Sequence, residues 1–168
     1  MKIDDVSIKY KDKKWYEGDK IIFRKTGIGI NATFDDSGCY VIQVIFIIKL
    51  KNQFLKVIDY KFALALINSK LILFWYFKNY GQEERTTFPH ITQGKIKDLP
   101  IKKIPISAQQ PFITLVDQIL SDKKIGNNTT TLEHQIDIMV YHLYELTYDD
   151  ACVIDNGLEL RDFERFKI

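Results

Sequence analysis

The pattern of apolar and polar positions divides the chain into three stretches. The first is rich in strands. Lys20-Ile21-Ile22-Phe23-Arg24 reads as a short strand, and Thr26-Gly27-Ile28-Gly29 as a turn that needs glycine's conformational freedom at two positions. Ile30 to Phe34 reads as the partner strand, followed by a second turn at Asp35-Asp36-Ser37-Gly38. Tyr40 to Leu50 is β-branched or aromatic almost throughout, which predicts a strand buried on both faces.

The second stretch changes to helical spacing. Asp59 is placed to cap a helix over Tyr60 to Asn68, which continues or restarts through Leu71 to Tyr80. Phe62, Leu66, Leu73 and Phe77 share one face, with Ala63, Ile67 and Phe74 beside it, so this helix must be nearly enclosed. Gly81 marks its stop. Gln82 to Gly94 has no clear period and reads as a loop or irregular strand. Asp98-Leu99-Pro100-Ile101 then leads to Ile104 and Ile106, an expected edge strand bounded by Pro100 and Pro105.

The third stretch is helical. Pro111 suits the first turn of a helix running to about Leu120, with Phe112, Leu115, Val116 and Ile119 inward. Thr130 and Glu133 have capping-box spacing for a second helix. Its apolar positions Leu132, Ile136, Met139, Leu143 and Leu146 form a narrow 4-3-4-3 stripe, suited to a hairpin that covers its own domain or docks on another. The fold class is α+β: a small, mostly antiparallel sheet with packed helices over residues 1–106, then a helical hairpin and acidic tail over 107–168.

Composition fits one well-buried core: 168 residues, 46% hydrophobic and 27% charged. The net charge of +2 hides an uneven distribution. Lysine and arginine dominate residues 9–25 and 85–103, whereas seven acids lie from Glu145 onward. Such a body can present one face to phosphate and another to a partner or to water. Cys39 and Cys152 stand far apart without a metal-binding or redox spacing, as expected of free thiols in a reducing cytoplasm. Met1-Lys2-Ile3-Asp4-Asp5 carries acids where a secretory signal needs an apolar run, and no stretch has the roughly 18–20 clean apolar residues of a membrane span.

The search for catalytic chemistry is negative. His90, His134 and His142 have no metal-ligand spacing, and no nucleophile elbow, phosphate loop or dinucleotide fingerprint occurs. Asp35-Asp36 lacks the acid-x-lysine strand of restriction nucleases, and the asparagine-proline-proline-aromatic motif of adenine methyltransferases is missing. What remains is recognition chemistry. Lys25 and Thr26 flank the first turn, and Arg85-Thr86-Thr87 open the stretch after the helix. Arginine can bridge guanine O6 and N7, while lysine and backbone amides suit phosphate.

Four segments occur in a telling order: Gly18-Asp19-Lys20-Ile21-Ile22-Phe23-Arg24, then Tyr60 through Asn68-Ser69-Lys70-Leu71, then Phe88-Pro89-His90-Ile91, then Ile96-Lys97-Asp98-Leu99-Pro100-Ile101. In order and spacing they resemble the TaqI-like C-terminal specificity domain of type IIG restriction enzymes and adenine-specific DNA methyltransferases. Leu132 to Thr147 is similar to the helix that ends many such enzymes, so the resemblance spans nearly all of residues 18–155. The resemblance implies a bacterial, cytoplasmic module whose loops enter the major groove of double-stranded DNA. It implies helices that pack on a methyltransferase or endonuclease part, which in that family lies upstream. This chain then acts as a piece of a longer protein or a separate subunit, with no catalysis or cofactor of its own. The expected DNA contacts are Arg24, Lys25, Thr26, Arg85, Thr86, Thr87 and Lys95, with Arg85 the expected base reader. The alternative is a protein-interaction module that docks a methyltransferase partner without reading DNA, and a small nuclease with an unfamiliar site stands third.

Overall fold

The computed structural model describes residues 12–27, 29–80 and 93–167. Strand β1 (Lys20–Arg24) buries Ile21 and Phe23 and leaves Arg24 exposed. It lies between β2 (Ala32–Asp35) and β3 (Ile45–Ile48), antiparallel to both. Register runs from Lys20↔Asp35 to Phe23↔Ala32 on one side and from Ile21↔Ile48 to Arg24↔Ile45 on the other. The α+β class and antiparallel sheet read from the sequence are therefore present.

Lys20, at the start of the central strand, is fully buried. Its ammonium donates to the Tyr16 carbonyl at 2.7 Å and pairs with the Asp35 carboxylate. Burial works against the charge on Asp35, but hydrogen bonds from Lys20, Ser37 and Cys39 outweigh it and draw the carboxyl down to about 2. A buried ammonium is tolerable here because both a carbonyl and a carboxylate replace its water.

The long doubly buried strand expected over Tyr40 to Leu50 is not formed. Only Ile45–Ile48 is strand, Ile47 is its one buried residue, and Ile42 and Val44 are 72% and 50% exposed. β3 is an edge strand, and a β-branched composition reports fit to a pleated surface rather than depth of burial.

Helix α1 (Tyr60–Asn68) starts where Asp59 accepts the Lys61 amide at 2.7 Å. Every residue from Phe62 to Ile67 is buried, as the apolar ring around the helix predicted. The fully buried Gln109 ties the chain before α1 to the later helices. It accepts the Asp59 amide at 2.9 Å and donates to the carbonyls of Val57 and Ile104 at 2.7 and 3.0 Å. Helix α2 (Lys70–Tyr80) is a restart, because Ser69 is extended (ψ 150°) between the two.

That junction gives Asn68-Ser69-Lys70 a structural meaning. The Asn68 carboxamide accepts the Ala32 amide and donates to the Ala32 carbonyl, both at 3.0 Å, so it takes the place of a neighbouring strand at the free edge of β2. The Ser69 hydroxyl donates to the Leu66 carbonyl at 2.7 Å and accepts the Ile72 amide. The Lys70 amide donates to Asp137 at 2.8 Å, and its ammonium meets Asp155 at 2.5 Å. Three consecutive residues thus fasten a strand, a helix start and the distal helices.

Gly81 and residues 82–92 lie outside the described residues. The chain resumes in a helical turn, α3 (Gln93–Ile96), where a loop or irregular strand was expected. The expected edge strand after Asp98 is absent. Instead the Lys102 amide donates to the Tyr144 hydroxyl at 3.0 Å, and that hydroxyl donates to the Pro100 carbonyl. A side chain satisfies this extended run, so it needs no strand partner.

Ile106 opens α4 (Ile106–Lys124), and Pro111 lies inside it rather than in its first turn. Pro111 is exposed, two residues after the buried Gln109. Helix α5 (Thr130–Leu143) is capped at Thr129, whose hydroxyl donates to Glu133 at 2.8 Å without accepting a backbone amide, so the expected capping box does not form there. A full capping box forms instead at Thr147 and Asp150, starting α6 (Tyr148–Ile154). Helix α5 stops at Leu143, short of the expected Leu146. Glu145 takes φ +62°, and its amide and that of Leu146 return to the carbonyls of His142 and Tyr141.

The stripe on α5 is not narrow. Ile136, Met139, Val140 and Leu143 join the main core with Phe62, Phe112 and Val116, while Ile138 and Tyr141 pack into a second cluster with Ala151, Leu158 and Phe163. That second cluster incorporates α6 and α7 (Leu160–Arg165), so the expected acidic tail is folded onto the body. The main cluster takes residues from both sides of position 106. No helix among the described residues is long and apolar enough to cross a membrane.

Candidate nucleic-acid interface

Antiparallel pairing brings the end of β1, the start of β2 and the start of β3 to one end of the sheet. Arg24, Lys25 and Thr26 gather there. Gly27 takes φ +128°, and a Cβ on it would stand 3.5 Å from the Arg24 guanidinium, so that side chain lies back across the turn. Gly29 takes φ +77° and is close against Leu73 of α2, where a Cβ would stand 3.4 Å away. The glycine freedom expected of this turn is real at both positions. Thr26 is half-buried.

Lys25 is fixed from two directions. Its amide donates to the Val44 carbonyl at 2.9 Å, and its ammonium stands 4.7 Å from the centre of the Phe46 ring. Lys95, on α3, is held the same way over Tyr80 at 4.7 Å. Tyr80 in turn donates its hydroxyl to Asp98 at 3.0 Å. These contacts join the two ends of the chain that flank residues 81–92. Arg85, Thr86 and Thr87, the other expected contacts, lie outside the described residues.

Helix α2 touches both regions, through Leu73 beside Gly29 and through Tyr80 under Lys95. Leu73, which meets the β1–β2 turn, and Tyr80, which carries Lys95, are seven residues apart and so share a face of the helix. Along its axis they are separated by about 10 Å.

Some lysines of the body are paired with acids, while Lys103 rests on the Phe54 ring at 5.0 Å. Lys61, Lys70, Lys102 and Lys123 each meet a carboxylate at 2.5–2.7 Å. Among the described residues, Arg24, Lys25 and Lys95 have no carboxylate within salt-bridge distance. An aromatic ring attracts an ammonium but leaves its N–H donors open to an anion.

Sequence reasoning missed the turn at Ile42–Ile45, closed by the Ile45 amide on the Ile42 carbonyl at 3.0 Å. It adjoins Lys25, and its one signal was Gln43 interrupting an apolar run. It also missed Asp137, which burial and, secondarily, the charges of Asp155 and Glu133 push up to about 6 against the opposing Lys70 amide and charge. Asp137 lines a cavity of about 360 Å³ between β2, α1, α4 and α5. Among the described residues no three His, Cys, Asp or Glu side chains group to hold a metal ion, and Cys39 and Cys152 are both unpaired. His134 stands 3.9 Å from Asp155, and His142 bonds the Phe163 carbonyl at 2.7 Å.

No match to the chain is found among curated proteins. A family match covers residues 2–101, hence the sheet, α1, α2 and α3, and it ends before α4. On the strength of that match, which spans more than half its length, the chain belongs to the TaqI-like C-terminal specificity domain family.

Proposed function

We propose that this specificity domain recognises a DNA sequence for a restriction-modification enzyme of the type IIG or adenine-methyltransferase kind, bringing a separate methyltransferase or endonuclease part to its target. Double-stranded DNA is the ligand. Arg24, Lys25, Thr26 and Lys95 contact it from the end of the sheet and from α3, and Arg85, Thr86 and Thr87 contact it from the segment between α2 and α3. The chain itself carries out no chemistry.

The observation that supports this reading is that Lys25, over Phe46, and Lys95, over Tyr80, each rest on an aromatic ring with no carboxylate among the described residues within salt-bridge distance. Lysines so presented suit phosphates and would fix register rather than read bases.

Fluorescence anisotropy with labelled duplexes across a salt series tests it. Binding is expected to be weak and steeply salt-dependent, and Lys25→Ala and Lys95→Ala should each lower the slope of log K against log salt by about one. Absence of binding at low salt, with co-purification of a methyltransferase partner, would instead favour the scaffold reading. Binding with unaltered slopes in both variants would remove these lysines from the interface.

A further inference from the structure

Residues 42–45 form a largely exposed turn whose composition is unusual for a turn. Ile42 is 72% exposed, Val44 is 50% exposed, and Gln43 between them is also exposed. Tight turns favour Gly, Asn, Asp, Pro and Ser, which supply local hydrogen bonds or unusual dihedrals. Here two β-branched apolar side chains flank an amide, with no local hydrogen-bonding role that would account for them. The turn is not loosely held. The Ile45 amide closes it on the Ile42 carbonyl at 3.0 Å, and the Lys25 amide fastens the Val44 carbonyl to the end of β1 at 2.9 Å. Phe46, the next residue but one, carries the Lys25 ammonium on its ring.

An apolar pair beside two cations, Arg24 and Lys25, is a mixed surface. A purely apolar partner would leave those cations desolvated and unpaired, whereas a duplex offers phosphate to the cations and base edges to the rest. Glutamine bonds the N6 and N7 atoms of adenine in a bidentate manner, and aliphatic groups meet the C5 methyl of thymine. Ile42, Gln43 and Val44, side by side and exposed, provide both kinds of group.

We infer that this turn reads an A·T pair in the major groove, with Gln43 on the adenine and Ile42 and Val44 on thymine methyls. The inference rests on the DNA-recognition reading above and adds specificity residues to it. Gln43 is exposed and outside the core, so its replacement leaves the fold in place, which a thermal melt of each variant verifies.

The test selects binding sites from randomised duplexes with the full chain and with Gln43→Ala. The selected site is then remade with 7-deazaadenine for adenine, or with uracil for thymine. Wild type should select a motif containing an A·T position that Gln43→Ala no longer prefers. Removing N7 there should weaken wild type roughly tenfold and leave Gln43→Ala unaffected. Removing the methyls should weaken wild type but not the Ile42→Ser/Val44→Ser double variant. If wild type selects a motif and Gln43→Ala selects the same one with equal preference, the turn does not read bases, while the recognition reading stands. If wild type selects no motif at any salt, that reading falls and the inference falls with it.

Discussion

Asp137 is a buried acid whose chemistry departs far from that of exposed carboxyls. It lies on α5 with one oxygen on the Lys70 amide, and burial lifts its carboxyl to about 6 against an ordinary 3.8. A carboxyl raised in the folded state binds its proton more tightly there than in the unfolded chain. Stability is therefore highest below about pH 4 as far as this group is concerned, and falls as pH rises from 4 to 6. Two units correspond to about 3 kcal/mol. Asp137→Asn keeps the acceptor for Lys70 and removes the titration. Melting temperatures measured from pH 4 to 7 should fall less steeply in the variant, and the variant should be at least as stable as wild type at pH 7. An unchanged slope would mean the charge on Asp137 is stabilised by more than its described neighbours.

At the scale of elements, the junction between α1 and α2 decides how the sheet is finished. Asn68→Ala frees the amide and carbonyl of Ala32 on the edge of β2. Both groups can then reach water, so urea unfolding should show a loss of about 1 kcal/mol rather than collapse. Dynamic light scattering should also show a greater tendency to associate through the exposed edge. Asn68-Ser69-Lys70 was legible as a motif, but its role was not. Its partners Ala32, Asp137 and Asp155 lie 36, 67 and 85 positions away, beyond any local periodicity. The Asp59 cap and the enclosed α1 were legible because their causes are local. Tyr40 to Leu50 failed for the opposite reason, since a run of β-branched residues states a preference for extended backbone and not which strand lies at an edge. The basic turn at Lys25 could be read from composition, whereas its neighbour at Ile42–Ile45 became visible only when the sheet register brought them together.

For the whole molecule, the family match and the core have different boundaries. The match ends at residue 101, yet Phe112 stands edge-on to Phe62 at 5.3 Å, and Val116, Ile136 and Val140 fill the same cluster. A chain cut after Pro105 would leave the far side of α1 in water, and a buried helix cannot lose a whole packing surface and stay ordered. Such a fragment should show no cooperative thermal transition by circular dichroism, whereas the full chain should show one. A sharp transition in the fragment would mean that α4 and α5 merely cover a core already complete. Lys95 resting on Tyr80 bears on how such a molecule diversifies. That contact, with the Tyr80 hydroxyl on Asp98, holds the end of α2 against α3. Were the proposed DNA recognition to hold, changes of target could be confined to the stretch of sequence between them while α1 and the sheet stay as they are.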